Sequence, residues 1–165
     1  MARNKSINFP NSEGELSTVF DKLQRSTTSE LLVSGALAIH GSSSALAKFA
    51  STIYFMIDGQ LYSKTTADCA ALVGTVANAA FNVFVFSVNA AGTLATQMGT
   101  AGATLGAVVF PAVADGYVAI GFVIVNPTGT GNFVGGTTNL DDATVVPNAV
   151  YVNTLGAFFP QFSTL

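Results

Sequence analysis

Few side chains in this chain can do chemistry, and they are scattered. His40 is the only histidine and Cys69 the only cysteine. His40 closes an apolar run, Leu31 to Ile39, and stands beside Gly41. A general base needs a positioned nucleophile or carboxylate, and no neighbour in sequence supplies one. The expected role is a strand-end histidine whose ring is hydrogen-bonded locally. Zinc takes three or four Cys, His or carboxylate ligands, so one His and one Cys make a zinc site improbable. Cys69 has no basic neighbour to stabilise a thiolate and reads as a buried, inert thiol. It also has no partner for an internal disulfide.

The acidic residues give little more. Asp141-Asp142 is the only adjacent acidic pair. Beside Asn139 and Thr137, its oxygens suit Ca²⁺ chemistry; the competing reading is a solvated loop. Asp58, Asp68 and Asp115 fall at turns or loop ends, where Asp commonly serves the backbone. A glycosidase needs two facing carboxyl groups, and nothing places such a pair. The run Gly129-Thr-Gly-Asn-Phe-Val-Gly135 lacks the Lys-Ser/Thr and the following helix of a phosphate loop. No catalytic, cofactor-binding or metal residue is assigned, and the expectation is a protein that is not an enzyme.

The elements that would position these residues are strands. Phe81 to Asn89 alternates Phe81, Val83, Val85 and Ser87 with Asn82, Phe84, Phe86 and Val88. Both sides are mostly apolar and rich in β-branched and aromatic residues, as in a strand covered on both faces. Tyr117 to Val125 reads the same way, and these two runs are expected at the centre of a β-sandwich. Leu31 to Ile39 is expected as the first strand and Lys48 to Ile57 as the next. Asp58-Gly59 then predicts a tight hairpin into Gln60 to Thr65, because a type I′ turn needs positive φ at both positions. Thr66 to Ala80 is Ala-rich and can open as a short helix capped by Thr65 or Thr66. Ala90-Ala-Gly92 turns into Thr93 to Met98. Ala107 to Phe110 is a short element stopped by Pro111. Asp115-Gly116 makes a further turn. Val145 to Asn153, with Pro147 inside, suits an edge strand. The whole predicts an all-β, jelly-roll-like single domain over residues 29–165.

Residues 1–28 differ in character and form a polar, charged arm, either extended or with two helical turns over Ser17 to Arg25. Phe9, Phe20 and Leu23 are its candidate anchors on a neighbouring subunit. The tail offers Phe158, Phe159 and Phe162 as further interface candidates.

Charge separates the two regions. Of 165 residues, 50% are apolar and only 9% are charged, against roughly 25% in ordinary soluble domains. Residues 1–30 hold Arg3, Lys5, Lys22 and Arg25 against Glu13, Glu15, Asp21 and Glu30, a balance of zero. Residues 31–165 hold Lys48 and Lys64 against Asp58, Asp68, Asp115, Asp141 and Asp142, which gives the net −3. A lone domain keeps itself soluble with a mixed charged surface. Here a covered surface is expected, in a homo-oligomer or larger particle. The acidic balance, with no basic stripe, argues against nucleic acid. Cys69 to Ala114 carries no charge, but Gly74, Asn78, Asn82, Ser87 and Asn89 interrupt it, and strand chemistry argues against a membrane span. The amino-terminal residues lack the apolar core of a secretory signal, so synthesis in the cytoplasm is expected.

Three stretches carry a resemblance. They are Phe49 to Gln60, Ala101-Gly-Ala-Thr-Leu-Gly-Ala-Val-Val-Phe-Pro111, and Gly121-Phe-Val-Ile-Val-Asn-Pro-Thr-Gly-Thr-Gly-Asn-Phe-Val-Gly-Gly136 onward to Asn153. Together they resemble small structural proteins encoded among the virion genes of tailed bacteriophages. The likeness is one of overall pattern and has no catalytic motif, so no functional residue is carried over. It implies a virion component, made in the host cytoplasm, of the capsid decoration or cement type. Such proteins are often β-rich trimers, with the major capsid protein or other virion proteins as partners. The alternative is a tail- or fibre-associated binding module that contacts a host surface glycan. Tyr54, Tyr62, Tyr117 and Tyr151 lie within strand patterns and there is no Trp, which weakens that alternative.

Overall fold

Short β-branched and aromatic runs, cut by Gly and Asp-Gly turns, favour pairing with distant partners over helix. The computed structural model describes residues 29–156. The expected arm over 1–28 and the six interface candidates, Phe9, Phe20, Leu23, Phe158, Phe159 and Phe162, lie outside the described residues. The described chain is all-β. Its strands are β1 (Glu30–Val33), β2 (Leu37–Ile39), β3 (Ala47–Phe49), β4 (Ile53–Ile57), β5 (Gln60–Lys64) and β6 (Ala67–Asp68). There follow β7 (Thr75–Val76), β8 (Asn82–Asn89), β9 (Leu94–Met98), β10 (Tyr117–Val125), β11 (Phe133–Val134) and β12 (Val150–Asn153).

They form antiparallel sheets in the orders β1-β4-β5, β12-β10-β8-β9, β11-β7 and β2-β3-β6. The two long apolar runs pair with each other along their length, Tyr117 opposite Asn89 and Val125 opposite Asn82. Both faces of β8 are buried, for different reasons. Phe84, Phe86 and Val88 join the main core with Leu31, Phe49, Ile53, Phe55 and Ile120. Val83 and Val85 face the other way, where the chain after β9 folds back: Gly99 lies against Val83 and Phe110 packs edge-on to Phe122. Phe122 is opposite Val85 in the ladder.

The hairpins follow their turn residues. Asp58 and Gly59 take φ of 51° and 78°, and Ile57 pairs with Gln60. Gly92, at φ 75°, turns β8 into β9.

Several expected elements are corrected. Leu31 to Ile39 is two strands in two sheets, broken at Gly35-Ala36. A Cβ on Gly35 would stand 2.7 Å from Phe49 Cβ and 2.8 Å from Ile53 Cγ2, and Ala36 has φ 51°. Lys48 to Ile57 is likewise two strands, because Ala50 and Ser51 donate N–H bonds to Ala36 and Gly35 across this corner. The Ala-rich stretch opens as β6 and not as a helix; Ala67 and Asp68 pair with Phe49 and Lys48. Around Ala107 the chain makes a 3₁₀ turn over Leu105–Ala107, followed by an isolated bridge between Thr100 and Val109. The last strand begins only at Val150, beyond Pro147, and lies at the sheet edge.

Candidate functional site

The β2-β3-β6 ladder assembles the polar residues that the sequence leaves apart. His40 follows β2 directly, and its N–H donates to Leu46 O at 2.9 Å. Asp68 is opposite Lys48 on the other side of β3. Paired residues share a sheet face, so His40, Lys48 and Asp68 share one, and His40 Nδ1 meets Asp68 Oδ1 at 2.5 Å. Both side chains are about half exposed, at 49% and 48%. The ring bond expected to be local is instead made to a carboxylate 28 residues away.

Cys69 points to the opposite face by strand alternation and is buried. Burial, with a smaller contribution from the Asp68 charge, pushes its thiol up to about 12. It is a core side chain, in keeping with the inert thiol expected of it.

A cleft of about 380 Å³ lies where the 140–150 loop crosses the end of β2, lined among others by Ile39, Asp141, Asn148 and Tyr151. Asp141 Oδ2 accepts the Ser43 N–H at 2.7 Å, which ties this loop to the one after β2. Asp142 Oδ1 accepts from the Thr144 N–H at 2.9 Å and the Thr144 hydroxyl at 2.6 Å. The Thr144 bonds hold the Asp142 carboxyl below its ordinary range. The adjacent pair therefore serves backbone and loop in two separate places. Among the described residues, no group of three or more His, Cys, Asp and Glu side chains stands ready to hold a metal ion. Tyr151 carries a buried hydroxyl with no hydrogen-bond partner among the described residues, and burial, then the Asp141 charge, raises it to about 12.

A third surface is apolar and outward-facing. In the β1-β4-β5 sheet, Ile53, Phe55 and Ile57 face the core, and alternation turns Tyr54 and Met56 outward. Val33 is opposite Tyr54, and Leu61 is opposite Met56. Val33 and Tyr54 are 45% exposed and Leu61 is 65% exposed. Sequence patterning alone leaves this face undetected, because Leu31-Leu-Val and Ile53-Tyr-Phe-Met-Ile57 are apolar at consecutive positions. No helix among the described residues is long and apolar enough to cross a membrane.

No family model matches this chain, no curated protein is found to be similar to it, and no solved structure matches its fold.

Proposed function

We propose that this chain is a structural virion protein of a tailed bacteriophage, of the head decoration or cement kind. In this reading it self-associates, as a trimer, and stabilises the capsid shell by binding the major capsid protein or other virion proteins. One observation carries the reading. Residues 29–156 hold only Glu30, Lys48, Asp58, Lys64, Asp68, Asp115, Asp141 and Asp142 as charged side chains, while Val33, Tyr54 and Leu61 present an exposed apolar sheet face. Such a surface opposes self-association weakly and gains from being covered. The same reading takes the β1-β4-β5 and β12-β10-β8-β9 sheets as the layers of a jelly-roll-like sandwich; Ile53, Phe55, Phe84, Phe86 and Ile120 lie in one core.

The test is stoichiometry. Particle protein gels are expected to show a copy number comparable to that of the major capsid protein, and the purified chain is expected to be an oligomer. A solitary species at high concentration, absent from particles, overturns the proposal. Deleting residues 1–28 is expected to abolish particle binding and leave the β signal in circular dichroism intact; retained binding overturns the role given to the arm.

A second reading, a glycan-binding module of the tail or a fibre, has one observation in its favour. The cleft brings together a carboxylate, an amide and an aromatic ring in Asp141, Asn148 and Tyr151. A low copy number, with saccharide binding abolished by Asp141→Ala, would favour it.

A further inference from the structure

We propose that β5 is a pairing edge through which a second copy of this chain joins the β1-β4-β5 sheet, strand to strand, across a two-fold axis. This rests on the self-association reading and adds a two-fold contact to the three-fold one of the trimer.

The hairpin geometry determines which backbone groups are free. A two-residue turn makes Ile57 and Gln60 a hydrogen-bonded pair, and bonded and non-bonded pairs then alternate along the ladder. Gln60, Tyr62 and Lys64 therefore direct their N–H and C=O groups to β4. Leu61 and Ser63 direct theirs away from the sheet, and among the described residues nothing bonds them. The ladder with β4 runs from Ile53–Lys64 to Ile57–Gln60 without a register shift, so no bulge twists this edge aside. β5 contains no proline. The opposite edge of the same sheet is closed differently: Leu31 and Gly156 exchange N–H···O bonds at 3.3 and 2.8 Å. At one edge of the four-stranded sheet, the Asn153 side chain of β12 accepts the Leu37 N–H at 2.7 Å and ties that strand to β2.

An edge without a bulge, unpaired among the described residues and beside an exposed apolar face, is a template for another strand. Only one antiparallel register uses both free positions symmetrically. With Tyr62 on the axis, Leu61 of each copy exchanges N–H···O bonds with Ser63 of the other. In that register Lys64 stands opposite Gln60, and no like charges face each other directly. The outward residues Val33, Tyr54, Met56 and Leu61 of one sheet then continue into those of the second copy. The contact is isologous, so it closes on itself and does not propagate into a fibre. In a decoration layer it would join one oligomer to the next.

Disulfide trapping tests the register. Cys69 is buried, so an introduced surface thiol reacts selectively. Across a non-hydrogen-bonded pair, Cβ atoms stand about 4.5–5.5 Å apart. Full-length Tyr62→Cys is therefore expected to give a disulfide-linked dimer on mild oxidation. Ser63→Cys, whose copies are out of register with each other, is expected to give about tenfold less, the ratio that corresponds to ~1.4 kcal/mol. Adding Ser63→Pro to Tyr62→Cys removes an outward N–H and is expected to suppress the crosslink by a similar factor. Should Tyr62→Cys fail to fold, for want of the Tyr62 ring stacked on Phe55, the exposed double variant Leu61→Cys with Ser63→Cys replaces it and is expected to crosslink. An oligomer that traps no dimer through either design overturns the β5 contact and leaves self-association standing. A parent protein that is monomeric at every concentration overturns both.

Discussion

His40 Nδ1 and Asp68 Oδ1 meet at 2.5 Å, from the two outer flanks of β3. The contact fastens the small β2-β3-β6 sheet across its width, on the face that also carries Lys48. It is a surface pair, and such pairs contribute about 0–1 kcal/mol, because solvent screens them and both side chains lose freedom. A double-mutant cycle of His40→Ala and Asp68→Asn, read by chemical unfolding, is expected to give a coupling within that range. A larger value would mean that the sheet depends on the pair.

Alkaline pH is expected to destabilise the fold. Cys69 and Tyr151 are both raised to about 12 in the folded chain, from ordinary values of 9.0 and 10.0. Between the ordinary and the raised values, the unfolded chain loses these protons while the folded chain keeps them. Folding is then opposed by a slope of at most about 1.4 kcal/mol per pH unit for buried Cys69, and by less for half-buried Tyr151, which solvent screens. Melting temperature should hold steady up to about pH 9 and fall progressively toward pH 12. Cys69→Ser should delay the onset by removing the earlier of the two titrations. A flat profile to pH 11 in the parent protein would contradict the burial of both groups.

Gly35→Ala is expected to cost about 1–3 kcal/mol, the range for overpacking a filled core. The added Cβ would stand 2.7 Å from Phe49 Cβ, and neither Phe49 nor Ile53 has room to retreat, since both are fully buried. Gly59→Ala meets nothing within 4 Å and suffers only from φ of 78°, a strain of roughly 1–2 kcal/mol. Denaturant midpoints of the two variants separate the packing effect from the backbone effect.

Asn82 is the buried polar residue at the head of β8. Its Nδ2 donates to Gly99 O at 3.0 Å and its Oδ1 accepts the Val83 N–H at 2.8 Å. Asn82→Leu would leave those backbone groups without these partners and is expected to destabilise the chain by about 1–3 kcal/mol. Hydrogen exchange of the Val83 amide should rise in step. An unchanged unfolding midpoint would show that the fold-back after β9 is held by other contacts.

Local chemistry was legible in the residues themselves. Asp58-Gly59 specifies its hairpin because positive φ at two successive positions is a property of those residues and needs no distant partner. The runs Asn82–Asn89 and Tyr117–Val125 announce doubly covered strands by composition, and charge poverty announces an unusual surface. Three features were illegible, each for a reason of packing. The break at Gly35-Ala36 exists because Phe49 and Ile53 occupy the space a side chain would need. Ala67-Asp68 became strand because β3 offered a free edge, and long-range pairing outweighed the helical preference of an Ala-rich stretch. His40 and Asp68 met only because a third strand lies between them.

Sequence by itself thus determined the all-β character, the sharpest turns and the scarcity of ionised groups, since each depends on residue type and near neighbours. Tertiary structure alone decided which strand edges close and which apolar face stays in solvent, because a strand's backbone groups and outward side chains acquire their fate from whatever packs beside them.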